Sequence, residues 1–157
     1  IAFTQAACIL ALTVAVEFES NTALSILLAG LESSFYFYAA GGLIAYMMED
    51  ERASTDELFA VGATFTLLAW AFAHAFSVCQ LVSPGSFSAA INPEAQRTWV
   101  ELLFLSFTTL SGVGLSDIIP LRPFARALVM LEQFAGVMYI GLVVTRMISL
   151  TVRPKRS

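Results

Sequence analysis

Apolar positions in this chain fall in long runs, not in the one-sided stripe of a soluble amphipathic helix. Four such runs stand out: Ile1–Phe18, Thr22–Met48, Leu58–Val82 and Phe124–Leu150. Three exceed the roughly 20 residues a helix needs to cross a bilayer, and the first is near the lower limit. The pattern therefore predicts four transmembrane helices. Between the third and fourth runs lies a polar loop, "SPGSFSAAINPEAQ", followed by "RTWVELLFLSFTTL". The latter is apolar and helix-compatible but too short to span, which predicts a re-entrant helix. Directly after it comes "SGVGLSD", at Ser111–Asp117, and then "IIP".

Composition sharpens this picture. Hydrophobic residues make up 58% of the chain and charged ones only 13%, about half the usual share. A small chain with so few polar helix faces is an integral membrane protein of the all-α class. Its charges gather in "EFES", "EDERASTDE" and a C-terminal "RPKRS". The basic tail argues for a cytoplasmic C-terminus, and an even number of spans puts the N-terminus on the same side. Arg97, Arg122 and Arg126 then lie near the outer surface and weaken that charge argument. The division expected is 1–56 for two N-terminal segments and a cytoplasmic loop, 57–150 for the region around the re-entrant helix, and 151–157 for a short basic tail. The net charge of −4 and the lack of a basic patch give no footing for nucleic acid. Cys8 and Cys79 sit in apolar runs and read as small buried hydrophobes. The first run lacks the flanks of a signal peptide.

Non-helical backbone at membrane depth is tolerated only where it is buried in protein or lines a wet cavity. Two glycines at alternate positions, Gly112 and Gly114, allow backbone geometry that other residues avoid. Successive carbonyls turned one way can replace the water shell of a cation. At this point the sequence resembles the tetrameric potassium-channel superfamily, whose filter commonly reads TTVGYGD. Ser111–Asp117, "SGVGLSD", aligns with it without gaps. "SFTTL" precedes it, "DIIP" follows, and "FARALVMLEQFAGVMYIGLVV" is similar to the family's inner helix. The resemblance spans roughly Leu58–Leu150 as outer helix, pore helix, filter and inner helix.

The resemblance implies a homotetramer in a lipid bilayer that passes monovalent cations, with no enzymatic chemistry and no cofactor beyond the bound potassium or other monovalent cation. It implies ion coordination by the carbonyls of Gly112, Val113, Gly114 and Leu115. It implies filter support from Thr108, Thr109, Ser111, Ser116, Asp117 and Glu132, and a gating bend at Gly136 or Gly141. Three letters depart from the family. Gly112 replaces a threonine whose hydroxyl would line the innermost site. Leu115 replaces a tyrosine and loses its phenolic bond. Ser116 replaces a glycine, so it must accept a strained backbone or change the local path. Phe104 stands where many relatives have a tryptophan. These changes predict a filter with weakened potassium selectivity. The alternative is a channel-like scaffold or sensor that does not conduct. A secondary transporter would show internal repeats, and "GVG" occurs once.

Other polar residues read more plainly. Glu132 is expected behind the filter, bonded to Ser106, Thr108 or Thr109, as support. Arg146 and Arg126 read as interfacial anchors. Glu32 and His74 read as interhelical hydrogen bonds, with a proton or metal sensor as the alternative. Glu17 and Glu19 are expected at the outer surface. Phe35–Tyr38 suits lipid or helix contact, and Gly41–Gly42 close helix packing or a kink. The first two segments hold no lysine or arginine, which excludes a voltage sensor of the usual kind within them. No ligand-binding tail domain is expected, and the compact size points to a bacterial inner membrane.

Overall fold

A computed structural model describes the backbone of residues 2–18, 21–49 and 55–152, and the side chains of 3–18, 21–48 and 58–148. Glu19, most of the "EDERASTDE" cluster and the "RPKRS" tail lie outside the described residues. The order is α1 (Ala2–Phe18), α2 (Thr22–Glu49), α3 (Thr55–Val82), β1 (Phe87–Ser88), α4 (Trp99–Leu110), β2 (Ile119–Pro120) and α5 (Pro123–Val152).

The helices coincide with the apolar runs because a backbone in lipid must satisfy its own hydrogen bonds. Three contain stretches long and apolar enough to cross a membrane: Thr22–Met48, Leu58–Val82 and Pro123–Ile148. Helix α1 has 17 residues, or about 26 Å at 1.5 Å per residue, a little less than the hydrocarbon core. Proline opens α5 at its first helical position, where its missing N–H costs nothing.

The core is built around α4. Leu102, Leu105 and Leu110 of that helix pack with Phe72, Phe76 and Cys79 of α3, with Ala125 and Val129 of α5, and with Phe87 and Ile118 from the loops. Outside this core most described side chains on α1 and α5, and many on α2, are exposed on the protomer, as lipid-facing or partner-facing helices are. Cys79 is buried as expected, while Cys8 is exposed.

Two features were not foreseen. Strands β1 and β2 pair antiparallel, Phe87 with Pro120 and Ser88 with Ile119. Leu121 N–H extends the pairing by donating to Ser86 O at 2.8 Å. The loop before α4 is thereby stitched to the segment before α5. The second is the buried Arg97. Its guanidinium donates to the carbonyls of Ile91, Asn92 and Ala95 and to Glu101 Oε1. Its backbone exchanges two bonds with the Gln80 side chain on α3. Arg97 thus organises the loop from within.

Candidate functional site

Helix α4 is set at both ends. Thr98 caps its start: Glu101 N–H donates to Thr98 Oγ1 at 3.3 Å, and Thr98 N–H donates to Glu101 Oε2 at 2.6 Å. This reciprocal capping box satisfies donors a helix start leaves open. The "TWVE" spelling at Thr98 to Glu101 carries the signal for it, unnoticed beside the apolar run that follows. The two Thr98 bonds, with a smaller contribution from the Arg97 guanidinium, hold the Glu101 carboxyl below the ordinary carboxylate range against the opposing effect of burial.

At its other end α4 turns off through glycine. Ser111 is the C-cap, and Gly112 follows at φ +73°, the left-handed position that glycine commonly fills there. Gly112 N–H donates to Thr109 O at 3.0 Å, and Gly114 N–H to Thr108 O at 2.9 Å. Gly114 is also left-handed, at φ +66°. The two glycines alternate with Val113 and Leu115, whose φ values stay in the ordinary range. Ser116 resolves its own dilemma by changing the path. Its φ is not positive, and its Oγ accepts from Ile118 N–H at 3.1 Å.

The consequence lies in the carbonyls. Among the described residues, those of Gly112, Val113, Gly114 and Leu115 accept no hydrogen bond. All four residues are exposed on the protomer, Val113 at 68% and Leu115 at 74%. The support residues are mostly inward. Thr108 and Thr109 are buried, Thr108 Oγ1 donates to Leu105 O, and Ser111 Oγ donates to Thr108 O. Asp117 is exposed and makes no side-chain hydrogen bond among the described residues.

Helix α5 backs this arrangement at two points. Glu132 is fully buried, and its Oε1 bonds to Ser106 Oγ of α4. Thr108 and Thr109 do not join it. Ser106 Oγ also bonds Ala69 O of α3 at 2.8 Å, so one side chain joins three helices. A hydroxyl has one proton and a carbonyl only accepts. Both Ser106 contacts are made when it gives its proton to Ala69 and receives one from the Glu132 carboxyl, while Glu132 Oε2 is buried without a partner among the described residues. The second point is Gly136. A Cβ there would stand 2.1 Å from Leu110 O, so α5 meets the end of α4 backbone against backbone. A Cβ at Gly141 would meet nothing within 4 Å. Sequence reading proposed both as bends; the close fit at Gly136 needs the structure to be seen. Tyr139 Oη ties the same helix to Val61 O at 2.6 Å, and Arg126 Nε ties its start to Pro120 O at 3.1 Å.

Glu32 and His74 turn out to be each other's partner, 3.0 Å apart. The aromatic run makes helix contacts: Tyr36 stacks on His74, and Phe37 meets Phe72. A Cβ at Gly41 or Gly42 would meet nothing within 4 Å, so close packing does not explain either glycine. Among the described residues no group of His, Cys, Asp and Glu could hold a metal ion.

A family model described as "Ion channel" matches residues 64–153, more than half of the chain. The match begins within α3 and takes in α4, the glycine stretch and α5. No curated protein and no solved structure matches the chain.

Proposed function

From the premise that this integral membrane protein belongs to the ion channel family, we propose that it is a subunit of a potassium-channel-like pore for monovalent cations. One observation carries the reading. Four consecutive residues, Gly112 to Leu115, are exposed, and among the described residues their carbonyls accept no hydrogen bond, on a segment turned by two left-handed glycines. Unpaired backbone acceptors at membrane depth need a polar partner. A permeating cation exchanges its water for them.

Each chain carries one such segment, so a closed ring of carbonyls requires copies. Four copies around one axis make the pore, and α5 lines the cavity below the filter. The negative C-terminal end of α4 favours a cation there. Transport is passive, with no covalent chemistry. Several weak sites in a row, and repulsion between neighbouring ions, allow exit. Potassium selectivity is weakened. Gly112 offers no hydroxyl ring at the base, and Leu115 offers no phenol to brace the wall. Gly136 and Gly141 are the bend candidates, and the open surroundings of Gly141 favour it. Helix α1 completes a fourth span by local thinning of the bilayer or by its flanking residues. The home membrane is a bacterial inner membrane.

Ion flux in liposomes tests this. Purified protein is expected to pass potassium, rubidium and sodium, with sodium flux comparable to potassium, and to be blocked by barium. Strong exclusion of sodium would sink the weakened-selectivity claim. No movement of any of these ions would leave a non-conducting scaffold.

A further inference from the structure

Helix α2 lies outside the stretch that matches the ion channel family, and the conduction path proposed above gives it no role. It nonetheless packs along α3 and places polar groups in that contact. Ser33 Oγ donates to Ala71 O at 2.9 Å. Glu32 Oε2 stands 3.0 Å from His74 Nδ1, with the histidine side chain only 10% exposed. In lipid such polar groups are best satisfied by each other, so the pair joins α2 to α3 in one orientation, and that orientation continues into a third helix.

The His74 ring stacks on Tyr36 of α2 at 5.5 Å, with 17° between the planes. Its other contact is Trp99, edge-to-face at 4.9 Å. Trp70 closes the group by meeting both Tyr36 and Trp99. Trp99 is the first residue of α4. A continuous line of contact thus runs from Glu32 through His74 and Trp99 to the start of the helix whose far end is the glycine stretch. That helix has 12 residues and is about 18 Å long, so it turns as a rod. Its far end is held backbone to backbone at Gly136. A change of angle at Trp99 therefore pivots α4 about that hold and turns the adjoining Gly112.

We propose that Glu32 is a positioning residue for the filter: through His74 and Trp99, helix α2 sets the angle of α4 and with it the geometry of the Gly112–Leu115 carbonyls. For its flux readout the proposal rests on the channel reading; its spectroscopic readout does not. The chain has two tryptophans, and both belong to this group. Trp70→Phe leaves Trp99 as the sole reporter. In that background, Glu32→Ala and His74→Ala are each expected to shift Trp99 emission and its quenching by a soluble quencher. The double variant should shift them no further than the larger single change.

In liposomes the same substitutions, on the natural chain, are expected to change the potassium-to-sodium flux ratio by a factor of roughly two to thirty. The double variant should again be non-additive. The exchanged pair, E32H with H74E, should return the ratio toward that of the natural protein. An unchanged flux ratio and unchanged Trp99 emission, alongside a lowered melting temperature, would overturn the proposal and leave α2 as a stabilising helix only. If the natural protein passes no ion, the channel reading fails instead, and Trp99 emission alone decides the positioning claim. Should the alanine variants not fold, E32Q and H74Q carry the test by the same criteria.

Discussion

Gly136 and Gly141 belong to the same helix and carry opposite expectations. A methyl group at 136 collides with Leu110 O, a backbone atom that cannot step aside. Gly136→Ala is therefore expected to part α5 from α4, at about 1–3 kcal/mol, and to lower the yield of folded protein. Gly141→Ala meets open space, and its higher helix propensity is worth up to about 1 kcal/mol. If Gly141 is the gating bend, that gain in stability should come with reduced channel opening. Thermal melting in detergent and flux, measured side by side, check the pair. Glu132 makes a second contrast. Glu132→Gln keeps a donor for Ser106 and should leave the melting temperature nearly unchanged. Glu132→Ala removes that partner from a fully buried site and should cost about 1–3 kcal/mol. Equal losses in both variants would mean that the carboxyl acts as a charge and not as a donor. At Gly112 the structure changes what a return to the family letter would do. Threonine at φ +73° is strained by about 1–2 kcal/mol, so Gly112→Thr should destabilise the site unless the backbone takes another path.

Among the elements, α4 depends most on its ends. Loss of the capping hydroxyl in Thr98→Ala is expected to cost about 1 kcal/mol. The Glu101 half of the box adds a pH signature. Its carboxyl is held below the ordinary carboxylate range in the folded protein. Its contribution is thus complete at neutral pH and fades as the pH falls through the ordinary carboxylate range toward the lower folded value. The difference in melting temperature between natural protein and Glu101→Gln should hold steady on mild acidification and shrink across that window. A difference that grew with acid would contradict the assignment. Most helices were legible in the sequence, because a long unbroken apolar run in lipid satisfies its backbone as a helix, whereas barrel strands alternate apolar and polar. Helix α4 was legible from its length between two spans, and the glycine stretch from its letters. What escaped reading depends on contacts between distant residues. The β1–β2 pair is two residues per strand, too short for any alternation to show. The role of Arg97 inside its loop was hidden because its carbonyl partners are spelled by no letter. Glu32 and His74 were each legible as interhelical hydrogen bonds, but that they bond each other shows only once α2 lies on α3.

The whole molecule is more exposed than one chain in water would tolerate. Val113 and Leu115 beside the glycines, and Phe134, Val137 and Val144 on α5, are all more than half exposed. Lipid accounts for some of this surface, but side chains next to unpaired carbonyls are better covered by protein. If four copies close around the filter, the mass in detergent should correspond to four chains of 17.0 kDa. A monomer that still conducts would refute the arrangement. In the assembled pore, selectivity depends on how firmly the carbonyl ring keeps its size or field. The segment is held from behind by Gly112 N–H on Thr109 O, Gly114 N–H on Thr108 O and the Ser116 turn, and all three holds are made within one chain. None is a side-chain brace at Leu115, which is 74% exposed. On the proposed arrangement the ring would adapt its width above Gly114, where sodium with part of its water would pass. Reversal potentials under opposed potassium and sodium gradients should lie near zero in the natural protein. They should move toward the potassium value in Leu115→Tyr if the phenol finds an acceptor on a neighbouring α4. A natural protein already near the potassium value would mean that the three holds from behind are sufficient, and that side-chain braces add little to selectivity in this filter.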